Sequence, residues 1–471
     1  MSRRPACPDS SAPQLGWGAG SREPEPGGDR QQANRPSGAP RHLSSQAGEE
    51  KGQARLTRRT LLAAAAALPA AAAAPRSPLA RLVDPSDSDT VLGLGVIARD
   101  RRGRVSLAEA HGRSVLGEGH ARNERPFTLD APIRVASVSK MVATAGLMRL
   151  VEARRLDLDA DVSDLLGFSV RHPAHPVVRI TPTMLLSHTS GLRNGRTYPV
   201  PVGKPLRDVL TPGSPGHDDG SWFAPADQPP GAFFAYADIN FAVLAQIAER
   251  ITGLRFDRWM TGAVLAPLGL DAGYNWSGVS QAARDRAAAP CRPVQGVWTP
   301  QTDAVVPFAP AVRVYADEGV TAADYRVGEN GFAFAPQGGL RASVRDLDVV
   351  ARAFASGRIG DPRMGQPAWH HDGRNGDTAK GYYRAYGLGV QVPTGVPGPG
   401  GDAFFGPEST DWRGHFGEAY GLVSGCWWNV RDGRTLAYII NGTPRPAEES
   451  PGRRSAATPW EETLIDAALR A

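Results

Sequence analysis

Lysine is nearly missing from this chain. Four lysines, at positions 51, 140, 204 and 380, stand against abundant arginine. Arginine supplies permanent charge but no usable base, since a guanidinium keeps its proton in a protein. Cysteine is equally sparse. Cys7, Cys291 and Cys426 define no disulfide framework, and whether Cys291 and Cys426 bridge or stay unlinked is left open. Metal-ligand spacing is lacking: His172-Pro173-Ala174-His175 is broken by proline and reads as a surface turn, so neither a metal nor a cofactor is expected. A dense basic stripe is lacking too. The net charge is +5 and the pI about 9.2, but residues 1–60 supply most of that excess and the rest is close to neutral. Nucleic acid is therefore not an expected partner.

Long apolar runs are also rare. Residues 1–54 are rich in Pro, Gly, Ser, Gln and charge and are expected to be disordered, as a linker or an upstream extension. At 55–76, Thr57-Arg58-Arg59-Thr60-Leu61-Leu62 precedes an alanine-rich stretch ending at Pro75. Paired arginines before a short hydrophobic segment resemble a twin-arginine export signal. The run is too short for a bilayer span. Cleavage between Ala70 and Arg76 would leave a periplasmic or secreted protein with no stable membrane span.

What is present begins with Ser137-Val138-Ser139-Lys140, opening an apolar run from Met141 to Val151 with helical spacing. A lysine one turn after a serine shares its helix face and can take the serine proton, once burial lowers its affinity for that proton. Lys140 is the one lysine so placed. Val91–Ala98 and Arg104–Ala110 read as a hairpin, Thr181–Ser187, Asn240–Ile251, Ala282–Ala289 and Asp346–Ala355 as helices. Tyr386–Val392, Tyr420–Val430 and Thr435–Asn441 read as strands, and Thr458–Ala471 as a closing helix. Strands near both ends with helices between them predict an α+β fold. One lobe (77–135 and 326–471) carries an antiparallel sheet flanked by helices. A mainly helical, loop-rich lobe (136–325) is inserted, with the active site between the lobes.

Five ordered segments carry a family resemblance: Ile133–Lys140, Leu185–Leu192 (Leu-Leu-Ser-His-Thr-Ser-Gly-Leu), Pro230–Asp238 ending Tyr236-Ala237-Asp238, Pro336–Ser343, and Gly414-His415-Phe416-Gly417. Together, from about 88 to 445, they resemble the serine beta-lactamase and penicillin-binding-protein superfamily, in its class C beta-lactamase-like branch of esterases and D-amino-acid peptidases. The resemblance implies that Ser137 forms an acyl-enzyme, that Lys140 takes its proton and that Tyr236 serves the leaving group. It places the oxyanion donors at the backbone N–H groups of Ser137 and Glu418, with His415 and Gly417 on the cleft-edge strand. His188 matches a structural position.

Two departures bear on substrate. The third motif has His415, expected to be neutral, where relatives often carry lysine. The second ends in Asp238, where many have asparagine; Asp238 and Asn240 are expected to contact substrate. A substrate carboxylate would meet repulsion from Asp238. The first expectation is thus a serine hydrolase of carboxylic esters or small amides, with a D,D-peptidase (a peptide-like substrate) or a beta-lactamase as the alternative. Arg341, Arg345 or Arg413 reaching the cleft would favour that alternative. A non-catalytic binding protein is the third reading, and no Gly-x-Ser-x-Gly turn supports a lipase-type fold. The loop tryptophans Trp222, Trp298 and Trp412 are open between acyl pocket and plain packing.

Overall fold

The computed structural model describes residues 77–84, 89–115, 124–201, 203–214, 216–217, 220–301 and 325–471. The expected disordered and export segments, 1–54 and 55–76, lie outside the described residues. Among those described, no helix is long and apolar enough to cross a membrane.

Alternating aliphatics make Gly93–Arg99 (β1) and Val105–Val115 (β2) an antiparallel hairpin. Asp100 closes its turn by accepting from the Arg102 and Arg104 backbone N–H groups, both at 2.9 Å. β2 outruns the expected strand because its far end pairs with Glu124–Pro126 (β3). Ile133–Arg134 (β4), Cys291–Val294 (β5), Val297–Pro300 (β6), Arg341–Ala342 (β7), Trp369–His370 (β8) and Ala385–Tyr386 (β9) follow. They form the short antiparallel pairs β4–β7, β5–β6 and β8–β9. Trp412–Ala419 (β10), Leu422–Asn429 (β11) and Thr435–Asn441 (β12) complete an antiparallel sheet in the order β10-β11-β12-β1-β2-β3. Strands from the two ends of the body thus meet at β12–β1, as the α+β reading expects.

Period-two patterning explains why this sheet is covered on both faces. Leu436, Tyr438 and Ile440 of β12 pack with Trp460, Leu464 and Ile465 of the Pro459–Arg470 helix. Ala437 and Ile439 turn the other way, into the core shared with Val344–Ala355 and Val138–Glu152. Capping boxes start two of these helices, Ser343 with Asp346 and Thr458 with Glu461, so the start signals were in the local sequence. Gly253, at φ 72°, ends Ile239–Thr252 in the left-handed conformation that glycine tolerates.

Two strand expectations are corrected. Tyr386–Val392 is not a strand, because the chain doubles back after Tyr386, with Gly387 N–H donating to Val390 O at 2.9 Å. Gly389 has φ 70°, and a Cβ there would lie 2.0 Å from Thr144 Oγ1. Close approach to the Val138–Glu152 helix therefore takes precedence over strand propensity. Only Gln391 returns to bridge Gly414. Tyr420–Val430 begins instead at Leu422, since Tyr420 and Gly421 both have left-handed φ (58° and 78°) and form the β10–β11 turn. The surface turn at His172–His175 is also revised: His172 is buried, its Nε2 bonded to Ala224 O at 2.8 Å. Cys291 and Cys426 are unlinked buried thiols.

Candidate active site

Ser137 sits at the N-cap of Val138–Glu152, directly after Ala136, which is held at φ 49°. Ser139 stabilises that bend: its Oγ donates to Ala136 O at 2.6 Å and accepts from Leu340 N–H at 3.0 Å. One helical turn on from a half-exposed Ser137, Lys140 is fully buried. Its Nζ donates to Ser137 Oγ at 3.1 Å and to Gln337 O at 2.8 Å, and pairs with Asp238 Oδ1 at 2.7 Å. The ammonium lies 4.6 Å from the Tyr236 ring centre and 5.7 Å from that of Phe241. Burial pushes Lys140 below its ordinary range, and Asp238 pulls it back.

Tyr236 stacks on Tyr383, with ring centres 4.7 Å apart and planes at 11°. Its buried hydroxyl faces the hydroxyls of Ser137 and Tyr383. Burial first, then the charge of Asp238, holds this phenol well above its usual range, so it is neutral and its proton available. His415 lies beneath, fully buried. Its Nδ1 faces Phe416 O, and its Nε2 meets the Tyr386 hydroxyl at 2.8 Å. Burial, with Lys140 nearby, holds His415 at about 3, so it is neutral as expected. With Nδ1 facing a carbonyl it carries its proton there, and Nε2 accepts from Tyr386.

β10 forms the facing wall. Gly414 O accepts from Gln391 N–H, and Phe416 N–H donates to Gln391 Oε1, both at 2.7 Å. These groups face away from β11, so the two-residue alternation turns Glu418 N–H to the same open edge. A Cβ on Gly417 would lie 2.5 Å from Val135 O and 3.1 Å from Ser137 N. The edge strand therefore packs directly on the backbone that bears Ser137, pinned there by Ser424 Oγ donating to Val135 O at 2.8 Å.

The structure thus gathers Ser137, Lys140, Tyr236, Asp238, His415, Gly417 and Glu418, and leaves Asn240 outside the cleft. Asp238 lies beside the base: Oδ1 pairs with Lys140 and Oδ2 accepts from the Tyr198 hydroxyl at 2.6 Å. Asn240 is fully buried away from the cleft, bonded to Ser190 Oγ at 2.6 Å and His188 Nδ1 at 3.0 Å. His188 Nδ1 also accepts from Ala237 N–H at 3.2 Å, which makes it a framework residue under the second motif. Arg341 donates to Tyr274 O and Gly339 O, Arg345 pairs with Asp130, and Arg413 donates to Gly365 O and Thr410 O. Trp222 is sealed in the core and Trp412 stacks on Phe405, so both are plain packing, while Trp298 packs half-buried on Leu92 and Cys291. Sequence reasoning missed Ser139, Tyr198, Gln337, Tyr383, Tyr386 and Gln391. Tyr198, Tyr383, Tyr386 and Gln391 reach the site from distant segments and carry no spacing signal, and Ser139 and Gln337 lie inside the family-like segments without having been singled out.

Known proteins bear on this arrangement. The chain is 28% identical to monacolin J acid methylbutanoyltransferase of Aspergillus terreus over 202 residues, 39% of this chain and 47% of the relative. It is 30% identical to esterase EstB of Burkholderia gladioli over 236 residues, 45% of this chain and 59% of the relative. It thus spans about half the length of these curated relatives. Among solved structures, the D-amino acid amidase of Ochrobactrum anthropi SV3 superposes with a TM-score of 0.57 at 18% identity, covering 83% of this chain and 98% of the amidase, which is a likeness of fold. The family model described as Beta-lactamase matches residues 79–458. With that match spanning most of the body, the chain belongs to the Beta-lactamase family of serine hydrolases, whose members include esterases, amidases and peptidases.

Proposed function

We propose that this protein hydrolyses uncharged carboxylic esters or small amides through an acyl-enzyme on Ser137. The carrying observation is the 3.1 Å contact between Ser137 Oγ and a buried Lys140 Nζ, beside the buried Tyr236 hydroxyl that faces Ser137. Lys140, once it has lost a proton, accepts that of Ser137 as Oγ attacks the carbonyl. The Ser137 and Glu418 backbone N–H groups receive the oxyanion. Tyr236 gives its proton to the leaving group and regains one from the deacylating water, and Lys140 returns its proton to Ser137 Oγ as the acyl group departs. Charge supports the substrate class. Asp238 matches Lys140, His415 is neutral, and Arg341, Arg345 and Arg413 are committed elsewhere. A substrate carboxylate beside Ser137 would therefore gain no surplus charge from Lys140, His415 or these three arginines. The Arg58-Arg59 segment supports export of the mature enzyme by a twin-arginine-type route.

Intact-protein mass spectrometry with an activated acyl ester, a penicillin and a cephalosporin, on the parent and on Ser137→Ala, tests this. Ester turnover that Ser137→Ala abolishes, with no lasting penicilloyl adduct, is the expected result. Fast penicillin turnover would make it a beta-lactamase, and a persistent adduct a penicillin-binding peptidase. No Ser137-dependent acylation by any probe would overturn the hydrolase reading.

A further inference from the structure

The second motif places a carboxylate against the base. Asp238 Oδ1 is 2.7 Å from Lys140 Nζ, and both side chains are largely buried (12% and 0% exposed). The carboxylate is held in place. Tyr198 donates to Oδ2 at 2.6 Å, and Asn194 Oδ1 accepts from the backbone N–H groups of Asp238 at 2.9 Å and Ile239 at 3.2 Å. Lys140 thus has three acceptors, Asp238, Ser137 Oγ and Gln337 O, in the arrangement of a full ammonium. The other groups facing it are Tyr236 and Phe241 by their rings, and His188 and His415, both held neutral by burial. Asp238 is therefore the one anion in contact with Lys140 among the described residues.

We propose that Asp238 is a positioning residue that sets the charge state of Lys140, locking it as ammonium in the resting enzyme and confining Ser137 activation to alkaline conditions. This rests on Ser137–Lys140 as the reacting pair. Before each acylation the Lys140–Asp238 pair releases one proton to solvent. The resulting amine then takes the proton of Ser137 as the Oγ–carbonyl carbon bond forms, and Lys140 is an ammonium again. An asparagine at 238 would keep the shape and remove the charge. Lys140 would then release its proton at lower pH, because an adjacent anion favours the charged form.

The scarcity of lysine makes the test direct. With 15N-lysine labelling, four Nζ signals are present at most, and that of Lys140 is identified by its loss in Lys140→Arg. The expected result is that Asp238→Asn moves the Lys140 titration down by about one pH unit or more. The acid limb of pre-steady-state acylation by a p-nitrophenyl ester should move by the same amount, so that near pH 7 the variant acylates about tenfold faster or more. Asp238→Glu should restore the parent limb, at least in part. An unmoved or raised Lys140 titration in a folded Asp238→Asn protein would overturn the proposal, whatever the activity. A lowered titration with an unmoved acylation limb would uphold the charge lock and refute Lys140 as the base. Acylation lost at every pH, with the fold intact and the titration unchanged, would assign Asp238 another role.

Discussion

Gly417→Ala isolates the contact between the edge strand and the backbone bearing Ser137. The added methyl would sit 2.5 Å from both Val135 O and Ser424 Oγ, and 3.1 Å from Ser137 N. Ser424 Oγ can rotate away, although it then gives up its 2.8 Å bond to Val135 O. Val135 O cannot, being main chain next to the bend at Ala136. Carbon–oxygen contacts settle near 3.3 Å, so β10 must retreat by roughly 0.8 Å. Overpacking of this kind costs about 1–3 kcal/mol of stability. The retreat also carries Glu418 N–H away from the oxyanion, and losing one such donor costs about 2.7–4 kcal/mol, or 10²–10³ in rate. Single-turnover acylation by an activated ester, beside a urea unfolding curve, separates the two effects. Acylation should fall at least about a hundredfold while the protein stays folded. A folded variant within threefold of the parent would refute both the close approach and the role of Glu418 N–H.

Two further expectations concern groups away from the chemistry. Glu249 is buried, accepting from Phe256 N–H and Gly328 N–H at 2.8 Å and from the Tyr325 hydroxyl at 2.7 Å, and burial raises it to about 7. A raised carboxyl favours the protonated folded state, so its contribution is full at low pH and is lost as pH climbs from about 4.5 to 7. Glu249→Gln should therefore gain about 3 kcal/mol on the parent across that window in chemical denaturation, and a difference that does not vary with pH would contradict this. Burial pushes Cys291 up to about 12 and Cys426 higher still. In a Cys7→Ser background, a disulfide reagent should find no reactive thiol in the native protein and two after unfolding; fast native labelling would place a thiol at the surface.

The part of the site that could be read from the sequence was the part that is local. Ser137 and Lys140 share one helix face, so a three-residue spacing was sufficient, and the helices expected over Asp346–Ala355 and Thr458–Ala471 are found as Val344–Ala355 and Pro459–Arg470. Period-two strands such as Thr435–Asn441 were legible because both of their faces are buried. What failed depended on partners far along the chain. Asp238 and Asn240 read as substrate contacts because nothing nearby in sequence shows that Lys140 and Tyr198 engage the first, or Ser190 and His188 the second. Tyr386–Val392 had strand composition, but Gly387 and Gly389 bend it against another helix. The tryptophans were undecidable for the same reason: an aromatic in a loop does not say which face of the loop is covered.

The pairing of β1 with β12 sets Gly93 opposite Asn441, and this has a consequence for synthesis. Closing that pair is among the longest-range contacts in the chain, and such closures come late and slowly. On a ribosome the hairpin emerges first with one edge bare, and the Val138–Glu152 helix follows before its facing wall exists. β10 reaches Ser137 only after residues 412–419 have been made, and β12 must then insert between β11 and β1. The nucleophile and the Glu418 oxyanion donor therefore cannot coexist in a nascent fragment that stops short of β10. The topology itself acts as a timer that withholds catalysis until the strands at 412–441 have been made.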